Sequence, residues 1–224
     1  MTEILISEVG PRDGLQSIER VMPLEAKKCW IAAEAAAGVR EIEVGSFVPP
    51  RLLPQMADTA ELVKFANGIE GLTVVTLVPN AKGAEFAAEA GVDGISIPFS
   101  MSETHSKKNV RKDHPAMLAE IRAAASIARE HGIHFAVGLS TAFGCTMEGA
   151  VPEDQVVRLA EHAAKAGAME FSLSDTTGYA DPAQVRRLTR KVKAAVGEDM
   201  LTTLHLHNTR GLGLANVVAG LEEG

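Results

Sequence analysis

His205 and His207 stand one residue apart in a short apolar run, Leu201-Thr-Thr-Leu-His-Leu-His207, which Asn208 and Gly211 bring to an end. Side chains at i and i+2 of a strand leave on the same face. A strand here therefore aims two imidazoles one way, near enough to share an ion. The rings either bond separate partners or act together as ligands, imidazole being a common metal ligand. A carboxylate that could complete such a site lies near the other end of the chain, in Gly10-Pro-Arg-Asp-Gly14. One carboxylate with two imidazoles makes a three-ligand divalent site with positions left open. Taken alone, Asp13 is also an ordinary turn residue, because Arg-Asp-Gly favours a turn.

Open metal positions suit an oxygen-rich substrate, chelated through a hydroxyl and a carboxylate or carbonyl, whose oxygens the metal polarises. Arg12 could then sit over a developing enolate oxygen, where a fixed cation stabilises the transition state. Asp175, in Ser174-Asp-Thr-Thr-Gly178, could take a proton from a substrate hydroxyl, orient a ligand, or cap its own turn. Glu43 either holds Arg12 as an ion pair or is a solvated strand end. His105, His114, His131, His134 and His162 have no ligand spacing and read as structural or exposed.

These residues need a scaffold. Short apolar runs at 4–9, 41–44, 72–78, 94–97, 133–139, 169–173 and 201–206 read as strands. Amphipathic stretches at 23–37, 58–67, 81–90, 113–131, 152–166, 181–196 and 212–221 read as helices. Pro23 and Pro152 open two of them, Asp58 and Asp181 cap two others, and Gly38, Gly91, Gly132 and Gly167 are stops. Seven βα units result, each the size of a βαβ element, which argues a parallel sheet covered by helices. An open doubly wound sheet is possible, but no G-x-G-x-x-G follows the first strand. Polar residues gather where strands end: Arg12-Asp13, Glu43, Pro79-Asn80, Ser100, Ser140-Thr141, Asp175-Thr176 and His205/His207. A (β/α)8 TIM barrel builds its site at those ends. Its closure would bring the ends of strands 1 and 7 within reach of each other. With seven strands found, either an eighth unit is missing or two have been merged.

Composition bounds the rest. The chain has 224 residues, with 22 basic against 29 acidic, a formal net charge of −7. With one Trp, one Tyr and no basic run longer than Lys107-Lys108, a nucleic-acid groove is not expected. Cys29 and Cys145 form neither a disulfide framework nor a CxxC site, which fits a reducing, cytoplasmic setting. Cys29 reads as helix packing, and Cys145 as a small buried residue. The opening Met1-Thr-Glu-Ile-Leu-Ile6 reads as a strand without the pattern of a leader peptide. No apolar run reaches the roughly 18 residues of a membrane span.

The motifs also carry a resemblance. Glu8-Val-Gly-Pro-Arg-Asp-Gly-Leu-Gln16 resembles the first-strand motif of 3-hydroxy-3-methylglutaryl-CoA lyases. The stretch Ser46-Phe-Val-Pro-Pro-Arg-Leu-Leu-Pro-Gln-Met-Ala-Asp58 resembles their second-strand loop. Four further stretches follow in the family's order: Ser102 to Asn109, Gly144 to Gly149, Ser172 to Gly178 and His205 to Asn216. The resemblance implies a TIM barrel forming one catalytic domain over 1–224, with the eighth βα unit and its cysteine loop lying beyond the seventh strand. It implies Mg2+ or Mn2+ held by Asp13, His205 and His207, although this donor set also suits Fe, Co or Zn. Arg12, Glu43 and Asp175 would be catalytic, and Arg12, Gln16 and Ser46 would line the substrate pocket. The implied reaction splits 3-hydroxy-3-methylglutaryl-CoA to acetyl-CoA and acetoacetate, chemistry of leucine catabolism and ketone bodies, in a homodimer or higher homo-oligomer. Lys107-Lys108 would either meet CoA phosphates or form a solvated pair. Asn208 departs from the family's His-x-His-Asp-Thr, which would alter contacts to the histidines or mark a different 3-hydroxyacyl-CoA. Two other readings stand beside this one. One is a Claisen-type synthase of the same barrel, joining acetyl-CoA to a 2-oxo acid. The other is an inactive fragment acting only by association through its open sheet edges.

Overall fold

A computed structural model describes residues 4–224. Residues 1–3 of the strand expected over Met1 to Ile6 lie outside the described residues. Seven strands are present: β1 (Ser7–Glu8), β2 (Glu41–Ser46), β3 (Thr73–Leu77), β4 (Gly94–Ser100), β5 (His134–Ser140), β6 (Glu170–Asp175) and β7 (Leu201–Leu206). Eight helices accompany them: α1 (Leu24–Ala36), α2 (Thr59–Ala66), α3 (Ala81–Ala90), α4 (Glu103–Asn109), α5 (His114–His131), α6 (Glu153–Ala166), α7 (Pro182–Val196) and α8 (Gly213–Leu221). The strands lie in the sheet in chain order, and a helix follows every strand. That succession is the order of a (β/α)8 barrel, with seven of its units among the described residues. Residues group into two compact units, Met1–Ser96 with Ser126–Phe135, and Ile97–Ala125 with Ala136–Gly224.

In the first unit β1, β2, β3 and the start of β4 pair in parallel. Ile42 and Val44 of β2, Val74 of β3, Ile31 of α1, Leu62 and Val63 of α2, and Ala84 and Ala87 of α3 make its core. β1 is shorter than the expected strand. Ser7 pairs with Glu41, the first residue of β2, so residues 4–6 have no partner strand among the described residues, and Ile4, Leu5 and Ile6 are exposed. β2 is longer than expected because a bulge between Glu43 and Gly45 lets it continue to Ser46. At Gly45 an added Cβ would lie 2.5 Å from the Thr59 hydroxyl, so only glycine lets α2 sit this close to the bulge.

Lys27 of α1 is wholly buried. Its ammonium bonds the Gln55 carbonyl at 2.5 Å and the Asp58 carboxylate at 2.6 Å. Asp58 does occupy the N-cap position of α2, but its side chain makes no cap bond. A buried cation needs a counter-charge more than a helix end needs one acceptor. Gln55 in turn donates to the Ile18 carbonyl at 2.5 Å. Gln55 thus ties the loop that follows β2 to the loop that follows β1, while Lys27 fixes the Gln55 backbone from α1. Cys29 is exposed, against expectation. α1 buries the face carrying Lys27 and Ile31, and position 29 falls on the other side.

In the second unit β5, β6 and β7 pair in parallel. Val137 and Leu139, Phe171 and Leu173 meet Val156 of α6 and Val185, Leu188 and Val192 of α7 in its core. Helix stops and caps follow the sequence. Gly91 and Gly167 take the left-handed conformation at the ends of α3 and α6, and Asp181 caps α7 through the Gln184 amide at 2.9 Å. The short helix α4 has no apolar periodicity, and no helix is expected there from the sequence. It forms because Ser102 caps it, accepting from the His105 amide at 3.1 Å. His105 Nδ1 lies 2.6 Å from the Ser100 hydroxyl, and Glu148 accepts from the Thr104 amide at 2.7 Å. Burial pushes the His105 pKa below its ordinary 6.5, against the opposing pull of Glu148.

Two stability measurements follow from these contacts. Asp58→Ala leaves Lys27 buried with one carbonyl for company and should cost about 3 kcal/mol in urea unfolding, with Lys27→Met costing less. As pH falls below 6.5 the unfolded chain takes up the His105 proton before the folded chain does. This group's contribution therefore weakens stability from 6.5 downward to its lowered folded pKa. The loss of melting temperature between pH 7.5 and 5.5 should be smaller in His105→Asn than in the parent chain.

Candidate active site

In the first unit, β1 ends in a five-residue π-helical turn, Gly10–Gly14, where a simple turn was expected. The Val9 carbonyl accepts from the amides of both Arg12, at 3.1 Å, and Asp13, at 2.7 Å. Pro11 gives up no bond here, since proline has no N–H. A Cβ on Gly10 would fall 2.7 Å from the Glu8 carboxylate and 2.8 Å from the Trp30 ring. The wide turn presents two charged residues in succession at the carboxyl end of the strand.

Arg12 is 7 % exposed and Glu43 4 %. The guanidinium Nε donates to Glu43 Oε2, and Nη1 donates to Asp13 Oδ1 at 2.6 Å. The other oxygen of Glu43 accepts from the Ser96 hydroxyl at 2.8 Å. Arginine cannot lose its proton in a protein, so this is a permanent positive charge fixed between two carboxylates. Of the two readings left open for Glu43, the ion pair with Arg12 is the one present. Ser96 was missed, for nothing in its sequence context sets it apart from other strand serines. Gln16 follows the turn and is half-buried. Ser46, at the end of β2, is buried, and its hydroxyl has no hydrogen-bond partner among the described residues. A buried hydroxyl left unbonded is costly, so Ser46 is suited to meeting a ligand.

In the second unit, β7 ends with His205 and His207. Their Nε2 atoms lie 3.1 Å apart, with ring centroids at 4.9 Å and ring planes 75° from parallel. His207 Nδ1 lies 3.0 Å from the Thr176 carbonyl. A carbonyl only accepts, so Nδ1 carries the hydrogen and the lone pair of the neutral ring is on Nε2. That is the tautomer a metal-ligating histidine needs. The carbonyl that selects it belongs to a backbone and carries no sequence signal.

Asp175 ends β6 and is 1 % exposed. Its oxygens accept from the amides of Tyr179, at 2.9 Å, and Ala180, at 3.1 Å. The capping role left open by the sequence is thus present, and an ionised carboxylate with about four acceptor sites retains capacity for more. Asn216 of α8, also missed, donates to the Ala180 carbonyl at 3.1 Å, and the Arg210 guanidinium stacks 4.5 Å over the Tyr179 ring. Asn208 accepts from the Gly213 amide at 2.9 Å, so its side chain holds the start of α8. Cys145 is buried and forms an isolated bridge with Gly149. Lys107 pairs with Glu103 at 2.7 Å on the surface. Among the described residues no helix is long and apolar enough to cross a membrane.

The family model described as HMGL-like matches residues 3–224. A hydroxymethylglutaryl-CoA lyase of Bacillus subtilis is 38 % identical over 222 residues, covering 99 % of this chain and 74 % of its own length. An (R)-citramalyl-CoA lyase of Chloroflexus aurantiacus is 37 % identical over 234 residues, covering 100 % of this chain and 74 % of its own. Among solved structures, an HMG-CoA lyase of Acinetobacter baumannii in complex with coenzyme A and 3-methylmalate superposes with a TM-score of 0.90. It is 36 % identical and covers 100 % of this chain and 74 % of its own. With seven βα units in barrel order and these relatives along its whole length, the chain belongs to the HMGL-like family of carbon–carbon lyases.

Proposed function

We propose that the chain cleaves 3-hydroxy-3-methylglutaryl-CoA, or a close 3-hydroxyacyl-CoA, to acetyl-CoA and a 3-oxo acid, acetoacetate, with a divalent metal held by Asp13, His205 and His207. The observation that carries this is the histidine pair: two Nε2 atoms 3.1 Å apart, one of them held as a lone-pair donor by the Thr176 carbonyl. Together these three residues would offer one carboxylate oxygen and two ring nitrogens. That donor set fits Mg2+ or Mn2+ and equally other first-row metals. A bound cation would supply Lewis-acid polarisation of the substrate's hydroxyl and carboxylate oxygens.

The chain's own residues would do the rest. Asp175, buried and held by two amides, takes the proton of the C3 hydroxyl. The oxygen's electron pair closes to a carbonyl, the C2–C3 bond breaks, and its electrons pass onto the thioester as an enolate. Arg12, locked by Glu43 and Asp13, places its charge where that oxygen turns negative, so no reorganisation is needed during the step. The proton taken from the hydroxyl, returned to C2 from Asp175, completes acetyl-CoA and leaves the carboxylate ionised again. Gln16 and Ser46 bind the acyl portion, and Ser46 gains the partner that its hydroxyl lacks.

A second substrate is favoured by one finding: a citramalyl-CoA lyase is nearly as similar to this chain as a hydroxymethylglutaryl-CoA lyase is. Both thioesters therefore belong in the same assay, with acetyl-CoA release followed by chromatography. Arg12→Gln should lower kcat by about 100- to 1,000-fold with metal content unchanged, as loss of a fixed oxyanion donor does. His207→Ala should lose both metal and cleavage. Equal turnover in chelator-treated and Mn2+-restored protein would rule out the metal-dependent mechanism, and condensation without cleavage would favour the synthase.

A further inference from the structure

A run of hydrogen bonds passes through the loops after four strands of the second unit and ends on a histidine. Ser102, after β4, donates its amide to the Thr141 hydroxyl at 3.1 Å. Thr141, after β5, donates its amide to the Thr176 hydroxyl at 2.8 Å. Thr176, after β6, accepts His207 Nδ1–H on its carbonyl at 3.0 Å. Thr141 also donates its hydroxyl hydrogen to the Ser140 carbonyl at 2.6 Å. Both of its polar groups that can reach a neighbour's loop are therefore used.

Thr141 is wholly buried and has φ +58°. A β-branched residue in the left-handed region is disfavoured by its own Cβ, and glycine is the usual occupant. Glycine would take this conformation without strain but could not supply the hydroxyl that receives Ser102 and anchors on Ser140. The strained backbone has a directional result: it turns the Thr141 amide onto the Thr176 side chain. With its hydroxyl anchored there, Thr176 has its peptide plane set, and its carbonyl faces the imidazole.

We propose that Thr141 and Thr176 are positioning residues that hold His207 as its Nδ1–H tautomer, with Nε2 presented as a metal donor. The inference deepens the lyase reading above, because the value of that tautomer lies in metal binding. A purely structural staple between loops would affect only stability. A positioning relay would also affect which ring nitrogen bears the proton and how tightly a cation is held.

The test uses the metal-free chain, with 15N-labelled histidine, at a pH where the rings are neutral. In the parent chain the His207 nitrogen shifts should report one tautomer, protonated at Nδ1. Thr176→Val keeps the shape and removes the acceptor; it should give mixed tautomers and bind Co2+ at least tenfold more weakly by calorimetry, the scale of loss seen when a ligand's outer contact is removed. Thr176→Ser should restore both. Thr141→Gly keeps the amide and tolerates the backbone angle but removes the hydroxyl that anchors the amide's position on Ser140 and Ser102; it should move both readouts in the same direction and covers the case in which Thr176→Val fails to fold. A folded Thr176→Val or Thr141→Gly with unchanged tautomer and unchanged Co2+ affinity would overturn the proposal. A parent chain that binds no Co2+ would refute the metal centre instead, and the imidazole spectrum would still decide the relay.

Discussion

A guanidinium that cannot be neutralised, buried between two carboxylates, is the interaction on which the first unit is arranged. Arg12 can be buried only because Glu43 and Asp13 both bond it, and each of those contacts constrains backbone elsewhere. Asp13 can reach back to its neighbour because the chain makes a π-helical turn there, which Gly10 permits by leaving room beside Trp30. Glu43 can reach across from β2 and still accept from Ser96 because it precedes a bulge. Bulges beside active sites commonly re-aim a side chain in this way. Under the lyase reading proposed above, the same charge would meet the oxygen that becomes anionic.

The second unit solves a different problem, that of orienting neutral rings. An imidazole has two nitrogens and two neutral tautomers, and nothing within the ring chooses between them. Here the choice falls to the Thr176 backbone carbonyl, and the hydroxyl of that same residue accepts from the Thr141 amide in the loop after β5. The loop after β6 is held from several sides: by Asp175 accepting its amides, by Asn216 holding its Ala180 carbonyl and by Arg210 over Tyr179. Gly178 belongs to the same set. With φ +68° and a would-be Cβ 2.3 Å from the Thr209 hydroxyl, it lets the loop after β7 pack directly on the loop after β6. Loops tied this densely behave as part of the scaffold, which is what a site built on loops requires.

Residue type and periodicity carried the elements wherever a local cause governs. Asp181 caps its helix through a bond three residues away, and Gly91 and Gly167 end helices in a conformation other residues avoid. Such effects span one turn of chain and are visible to a reader of short stretches. The exceptions have causes that lie outside those stretches. Asp58 looks like a cap and instead answers a buried lysine 31 positions away. Residues 4–6 are apolar enough for a strand but have none to pair with among the described residues. α4 is polar throughout and folds on the strength of Ser102 and the contacts of His105.

The sequence by itself determined the alternation of strands and helices, and hence the side of the sheet on which chemistry collects. Both follow from apolar spacing, from breakers, and from the rule that parallel strands put their polar ends together. It also supplied the candidate reactive side chains and, through motif likeness, the family. Only the tertiary structure decided what each of those side chains is doing. Glu43 is a partner of Arg12 and of Ser96, Asp175 is held by two amides, and His207 has one proton position selected for it. The reason is physical: protonation, tautomer and ion pairing depend on atoms within about 3 Å in space, and most of those atoms are backbone groups or side chains tens of residues distant, which no local pattern of residue types encodes.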